Sequence, residues 1–318
     1  MTLDFATAQL LEQLAEAGGT PLHEGSVEQE RAMSADLAAM LGPAPPMLRV
    51  DEHDLARPDG TVPIRVLVPL ERPAGVIVYY HGGGWVSGSI DESDTVARKL
   101  AERTSCTLVL AGYRLAPEHR YPAAVDDSYA ALEWVGEHAN ELARPGAPLF
   151  VAGDGAGGNL AAVMALRARD RGGPPIAAQI LICPVTDADF ERPSYGDPAN
   201  QLLLTRDAVA WFWDHYVPDA ARRREADASP LRAAELAGLP PAVVLTAEHD
   251  VLRDEGEAYA ERLAAAGVQV DFMRHEGQAH GFFTLLMLPG SERGFQQVVK
   301  AVRAVIAERA REAARALP

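Results

Sequence analysis

A chain of 318 residues, 48% hydrophobic and 23% charged, has the make-up of a globular protein with a sizeable core, arranged as one large domain or two small ones. Its formal net charge of −16 sets it against nucleic acid and anionic membrane as partners, because either polyanion would repel such a surface, and a neutral small molecule suits it better. No basic segment leads into an apolar run at the start of the chain, and no run approaches the roughly 18 apolar residues of a membrane helix, so a cytoplasmic location is expected.

Leu3, Ala6, Leu10, Leu11 and Leu14 recur at helical spacing over 3–16. Met33, Leu37, Met40 and Leu41 repeat the pattern over 26–41, behind a Ser26 suited to cap a helix. After GPAPP the pattern turns to strands at 47–55 and 62–69, joined by RPDG at 57–60 in the manner of an antiparallel hairpin. Strands at 75–80, 107–113, 148–153, 177–184, 242–249 and 268–275 then alternate with helices at 91–104, 122–143, 157–171, 252–266 and 292–315. That alternation predicts an α/β protein with a mostly parallel eight-stranded sheet covered by helices on both faces. The alternation stops between 185 and 235, which reads as an insertion. The chain therefore divides into N-terminal helices (1–45), a first part of the core (46–184), the insertion (185–235) and a second part of the core (236–318). Within the insertion, Trp211, Phe212, Trp213 and Tyr216 are expected mainly to pack in the core. Cys106 and Cys183 sit inside apolar runs and read as buried thiols of a reducing compartment. The last strand, 268–275, is an edge along which two copies of the chain could pair as a homodimer.

Ligands of an open α/β sheet bind at the carboxyl ends of its strands, so the residues just past each strand matter most. After 75–80 come His81, Gly82, Gly83, Gly84 and Trp85, a backbone stripped of side chains whose amides suit an oxyanion hole. After 148–153 the stretch FVAGDGAGGNL (150–160) fits two incompatible patterns. Gly153, Gly155 and Gly158 satisfy the dinucleotide spacing G-x-G-x-x-G, and the same residues overlay the nucleophile turn G-x-S-x-G with Gly155 in the serine position. After 242–249 comes Asp250, suited either to orient an imidazole or to cap the next helix, with Asp254 a weaker acid candidate. After the last strand comes His280, placed for general base work ahead of Phe282 and Phe283. The other histidines lack close metal-ligand spacing, and Glu248 and His249, adjacent on a strand, should point to opposite faces; no metal and no cofactor is expected.

HGGGW at 81–85, YRLAPEHRYPAAVDD at 113–127, GDGAGGNLAA at 153–162, EHDVLRDEG at 248–256 and HGFF at 280–283 together resemble the bacterial hormone-sensitive-lipase-like carboxylesterases, over essentially the whole chain. The resemblance implies an α/β-hydrolase fold acting on short to medium acyl esters. It assigns the triad acid to Asp250 and the base to His280, and the oxyanion donors to the amides of Gly83, Gly84 and Ala156. It places Glu118, His119 and Arg120 in a structural turn, and makes a cap of the N-terminal helices and the 185–235 insertion. Trp85, Leu204 and Phe212 are the residues expected to line the acyl pocket.

Two positions depart from that pattern. Val251 stands where proline commonly follows the acid, a minor change, and Gly155 stands where the nucleophilic serine belongs. The dinucleotide reading fails on spacing, since the nearest acid after the next strand, Asp187, lies well beyond the expected distance. It also leaves the glycine loop, Asp250 and His280 unexplained. Three accounts of Gly155 follow: an introduced Ser-to-Gly replacement in an otherwise complete esterase, a non-catalytic small-molecule-binding protein on the same scaffold, or a hydrolase in which His280 activates water directly.

Overall fold

The computed structural model describes residues 2–18, 20–58 and 60–315. Helix α1 (Phe5–Ala17) starts where the Asp4 carboxylate accepts from Thr7 N at 2.8 Å. Helix α2 (Val27–Ala39) starts in a reciprocal box, Ser26 accepting from the Gln29 amide and the Gln29 side chain accepting from the Ser26 amide. Strands β1 (Arg49–Arg57) and β2 (Gly60–Val68) pair antiparallel as the expected hairpin, with Asp59 of its turn outside the described residues.

The alternating region follows as β3 (Val76–Tyr80), α3 (Ile90–Thr104), β4 (Thr107–Ala111), α4 (Ala123–Leu142), β5 (Leu149–Asp154), α5 (Ala156–Arg171) and β6 (Ile176–Ile182). A long connection carries α6 (Pro193–Gly196) and α7 (Arg206–Tyr216), and β7 (Ala242–His249), α8 (Arg253–Ala265), β8 (Val270–Ala279) and α9 (Pro289–Arg315) complete the chain. The eight strands form one sheet in the order β1-β2-β4-β3-β5-β6-β7-β8. It is antiparallel at β1, β2 and β4 and parallel from there on.

Because both faces of β3, β4 and β7 are covered, every residue of these strands is buried; β3 is apolar throughout, β4 apolar after Thr107, and β7 apolar until Thr246, Glu248 and His249 near the site. One face packs Val96 and Leu100 of α3 with Phe295, Val298 and Val302 of α9. The other packs α4, α5 and α8 together with Trp213 and Tyr216 of α7.

Several strand ends differ from their sequence-based bounds by one or two residues or more, and two of the differences bear on the site. The strand expected at 107–113 ends at Ala111, and Tyr113 leaves the sheet to donate its hydroxyl to His81 O at 2.8 Å. The strand expected at 268–275 runs on to Ala279, through an irregularity in its pairing between Ala247 and His249. Gly277 adopts φ +70 there, and its amide donates to the Glu248 carboxylate at 2.8 Å, which fixes the chain three residues before His280. Strand β8 is the sheet edge, with Phe272 and Met273 exposed on it. Among the described residues no helix is long and apolar enough to cross a membrane.

Candidate active site

The carboxyl ends of β3, β5, β7 and β8 bring the expected residues together. Asp250 follows β7 and is fully buried; its Oδ1 accepts from Leu252 N at 2.9 Å while Oδ2 lies 2.8 Å from His280 Nδ1. The carboxylate thus lies against the imidazole, but Asp250 does not cap the helix: Leu252 is the N-cap of α8 without a side-chain hydrogen bond, and Asp250 closes the turn just before it. Asp254 faces elsewhere, accepting from Ser194 N at 2.8 Å and pairing with Arg253. Burial pulls the His280 imidazole down in pKa, but the Asp250 carboxylate more than reverses this and holds the ring above its ordinary value.

Gly155 is the turn between β5 and α5, at φ +52 and ψ −113, outside the left-handed helical basin that non-glycine residues occasionally visit. A Cβ built on it would stand 3.7 Å from His280 Nε2 and 3.8 Å from Cε1, so any side chain there would start in contact with the ring at Nε2, the nitrogen that Asp250 does not engage. The turn is held by Gly155 N donating to Ile182 O at 2.9 Å, and by Asn159 N and Val185 N donating to Gly155 O, each at 3.1 Å. Ala156 opens α5, where first-turn amides have no intrahelical acceptor and the positive end of the helix dipole collects.

The glycine loop is pressed against this turn. A Cβ on Gly157 would overlap the Tyr80 carbonyl, and one on Gly82 would overlap the Asp154 carboxylate, so only glycine permits the approach. The Gly83 carbonyl accepts from Val86 N at 3.0 Å, Ser87 N at 2.8 Å and Ser87 Oγ at 3.1 Å. The Gly84 N–H shares that peptide plane and points the opposite way. Phe212, of the expected pocket residues, lies against Gly84, while Leu204 is half-buried beside the core.

Trp85 corrects the sequence reading. It is 1% exposed, adopts φ +61, stacks on Tyr216 at 4.3 Å and meets Trp213 edge-on at 5.0 Å, so it anchors the loop to α7 from beneath and is not a pocket wall. The positive φ turns its side chain into the core. Glu248 and His249 also differ from expectation: their side chains approach to 3.8 Å at the irregular strand end, while Asp250 turns away to His280.

Two neighbours of the site escaped the sequence reading. Asp154 accepts from the Tyr79 hydroxyl at 2.6 Å, and burial pushes its pKa up despite that bond and the nearby His81 and His280 rings. It is the residue directly before Gly155, so the glycine-turn motif itself carried the signal. Cys183 is the buried thiol its apolar run predicts, but it also lies with Asp250 and His280 in a group whose sulfur, carboxylate and ring-nitrogen atoms all fall within 4.8 Å of one another. Burial, followed by the Asp250 charge, drives its thiol well above the ordinary range, which keeps it protonated.

A buried acid holding an imidazole beside a glycine-lined backbone turn, at the carboxyl ends of a parallel sheet, defines the hydrolase centre of an α/β-hydrolase scaffold. The chain belongs to the alpha/beta hydrolase fold family, whose profile matches residues 77–284. It is 44% identical over 270 residues to the carboxylesterase NlhH of Mycobacterium tuberculosis, covering 81% of this chain and 85% of that one. It is 40% identical over 301 residues to the carboxylic ester hydrolase LipN of the same organism, covering 90% and 78%. A thermostable esterase from Pseudomonas putida superposes with a TM-score of 0.90 at 38% identity, over 96% of this chain and 98% of that one. The scaffold is that of a carboxylesterase.

Proposed function

We propose that the chain is a hormone-sensitive-lipase-like carboxylesterase for short to medium acyl esters whose nucleophile position is occupied by Gly155, leaving the chain itself nearly inactive. The observation that carries this reading is the alignment of Asp250, His280 and the Gly155 turn, with Nδ1 of the ring engaged at 2.8 Å and Nε2 facing the position where a Gly155 side chain would begin.

With serine at 155, His280 Nε2 takes the hydroxyl proton as the oxygen attacks the ester carbonyl, and returns a proton to the departing alkoxide. Asp250 keeps the proton on Nδ1 and stabilises the imidazolium. The amides of Gly83, Gly84 and Ala156 receive the negative oxygen of the tetrahedral intermediate. Without a hydroxyl the loss in kcat is on the order of 10⁶, with a residual of roughly 10³–10⁴ over water from the oxyanion donors and binding. The N-terminal helices and the 185–235 insertion form a cap over the acyl side, with Phe212 of the insertion packed against Gly84. A cytoplasmic protein pairing with a second copy along the open edge of β8 completes the reading; a concentration-independent monomer mass by light scattering would remove the dimer.

The test is hydrolysis of a p-nitrophenyl ester series, acetate to laurate, by the chain and by its Gly155→Ser variant. Turnover confined to the serine variant supports the reading, and its chain-length profile measures the pocket. Equal turnover by both favours water activated directly by His280. Silence from both, with the fold intact, leaves a ligand-binding protein.

A further inference from the structure

The glycine loop is gripped from behind by α2. Arg31 donates to Val86 O at 2.9 Å, to Ala116 O at 3.1 Å and, with both terminal nitrogens, to Glu118 at 2.8 and 2.7 Å. Its neighbour Glu30 is buried, accepts from Ser87 Oγ at 3.1 Å through Oε1, and leaves Oε2 buried with no hydrogen-bond partner. The same Ser87 hydroxyl lies 3.1 Å from the Gly83 carbonyl. A hydroxyl carries one proton, so Ser87 can serve one of these acceptors at a time.

We propose that Glu30 is a positioning residue for the Gly84 amide, acting through the shared Ser87 hydroxyl and the Gly83 carbonyl. The inference rests on the proposed oxyanion role of Gly84. When Glu30 is neutral, its carboxyl donates to Ser87 Oγ and the Ser87 proton goes to Gly83 O. That carbonyl then holds three donors, its peptide is polarised, and the Gly84 N–H on the other side becomes a stronger donor. When Glu30 is ionised, the carboxylate is the better acceptor and takes the Ser87 proton from Gly83 O.

The switch lies in an accessible range. Burial lifts the Glu30 carboxyl from 4.5 to about 7 against the opposing Ser87 hydrogen bond, and the Glu92 charge adds to the rise. Glu92 faces it from α3 and accepts from Ser34 of α2 at 2.5 Å. The Arg31 cation is turned toward Glu118. On the loop, burial lowers the pKa of His81, whose Nδ1 lies 2.7 Å from Gly82 O. An oxyanion donor is worth about 10²–10³ in kcat, and a neighbouring bond strengthens it by about 10–30%, so the expected effect is roughly two- to eightfold.

The experiment has two arms. In the ¹⁵N-glycine-labelled chain carrying Gly155, the Gly84 amide resonance should move with a midpoint of about 7, and that movement should vanish in Glu30→Gln. In the Gly155→Ser background, kcat should fall roughly two- to eightfold as Glu30 ionises, with KM unchanged, and Glu30→Gln should remove the fall. A Gly84 resonance that does not titrate between about pH 5 and about pH 9, or that titrates identically in Glu30→Gln, overturns the proposal. If Gly84 titrates with Glu30 while Gly155→Ser hydrolyses no ester, the coupling stands and the esterase reading falls.

Discussion

Replacing Gly155 by Ala and by Ser separates the conformational cost of the turn from its chemistry. The residue holds φ +52 and ψ −113, where a Cβ brings strain of about 1–3 kcal/mol. The nearest atoms to that Cβ are His280 Nε2 and Cε1 at 3.7 and 3.8 Å, ordinary contact distances, so no steric term is added. Losing glycine also restricts the unfolded chain, which returns about 0.4–1 kcal/mol. The net expectation for Gly155→Ala is a loss of between about 0 and about 2.6 kcal/mol, centred on ~1.3 kcal/mol. Gly155→Ser loses about 1 kcal/mol less, because its hydroxyl starts within hydrogen-bonding reach of Nε2. Urea unfolding at constant slope measures both. Gly157→Ala is the control: its Cβ would overlap the Tyr80 carbonyl, so β3 and α5 must part, at a cost of about 3 kcal/mol or more. A rise in midpoint for both Gly155 variants, or a Gly157→Ala change milder than Gly155→Ala, would refute the strained turn.

Other expected outcomes follow from the ionisable groups. Asp250→Asn should lower the His280 pKa in an NMR titration, since the carboxylate is what raises it above the ordinary value. A raised folded pKa gives stability fully present below 6.5 and lost as pH rises through the folded value, so that pH dependence should shrink in Asp250→Asn; an unchanged His280 titration would contradict the pairing. For Glu30 the sign is the same: its folded pKa of about 7 against 4.5 unfolded means stability is lost increasingly as pH rises across that interval, as the buried carboxyl ionises, and levels off above it. Glu30→Gln should therefore gain up to about 3 kcal/mol at pH ~8 and little at pH ~4, read by urea midpoints at the two pH values. Both thiols should resist alkylation in the native state, since burial pushes Cys106 up to about 12 and Cys183 well above its ordinary value. Rapid native-state labelling of either would show that its surroundings are open.

The strand and helix order was legible because burial on both faces leaves a plain mark: five-residue apolar runs such as VIVYY and TLVLA, separated by amphipathic stretches. The acid, the base and the turn were legible for a related reason, since each directly follows a strand and the parallel sheet brings strand ends to one rim. What stayed hidden depends on contacts between distant segments. Ser87 and Glu30 are separated by 57 positions, and nothing around either residue marks the other. Trp85 misled because an aromatic beside a glycine loop suggests a pocket wall, whereas a positive φ, unmarked by sequence at a tryptophan, folds it under the loop onto Tyr216.

The acid–base pair also stabilises the fold, independently of any catalysis. Asp250 has no exposed side-chain surface, and a buried carboxylate stripped of its partner costs several kcal/mol. Loss of His280 would therefore destabilise the chain whether or not an ester is ever cleaved, so the pair can persist for stability alone. The loop is different. Gly82 and Gly157 allow close approach of the loop and the turn, which packing explains, but the Val86 and Ser87 amides, joined by the Ser87 hydroxyl when Glu30 leaves it free, fix the Gly83 carbonyl and so hold the Gly84 amide facing the other way. Placing serine at 155 tests the loop and the pair together. Removing the Ser87 hydroxyl in that background tests the loop alone: a kcat that drops with KM unchanged would assign the glycine loop to the reaction, whereas a change in stability without one would assign it to the fold.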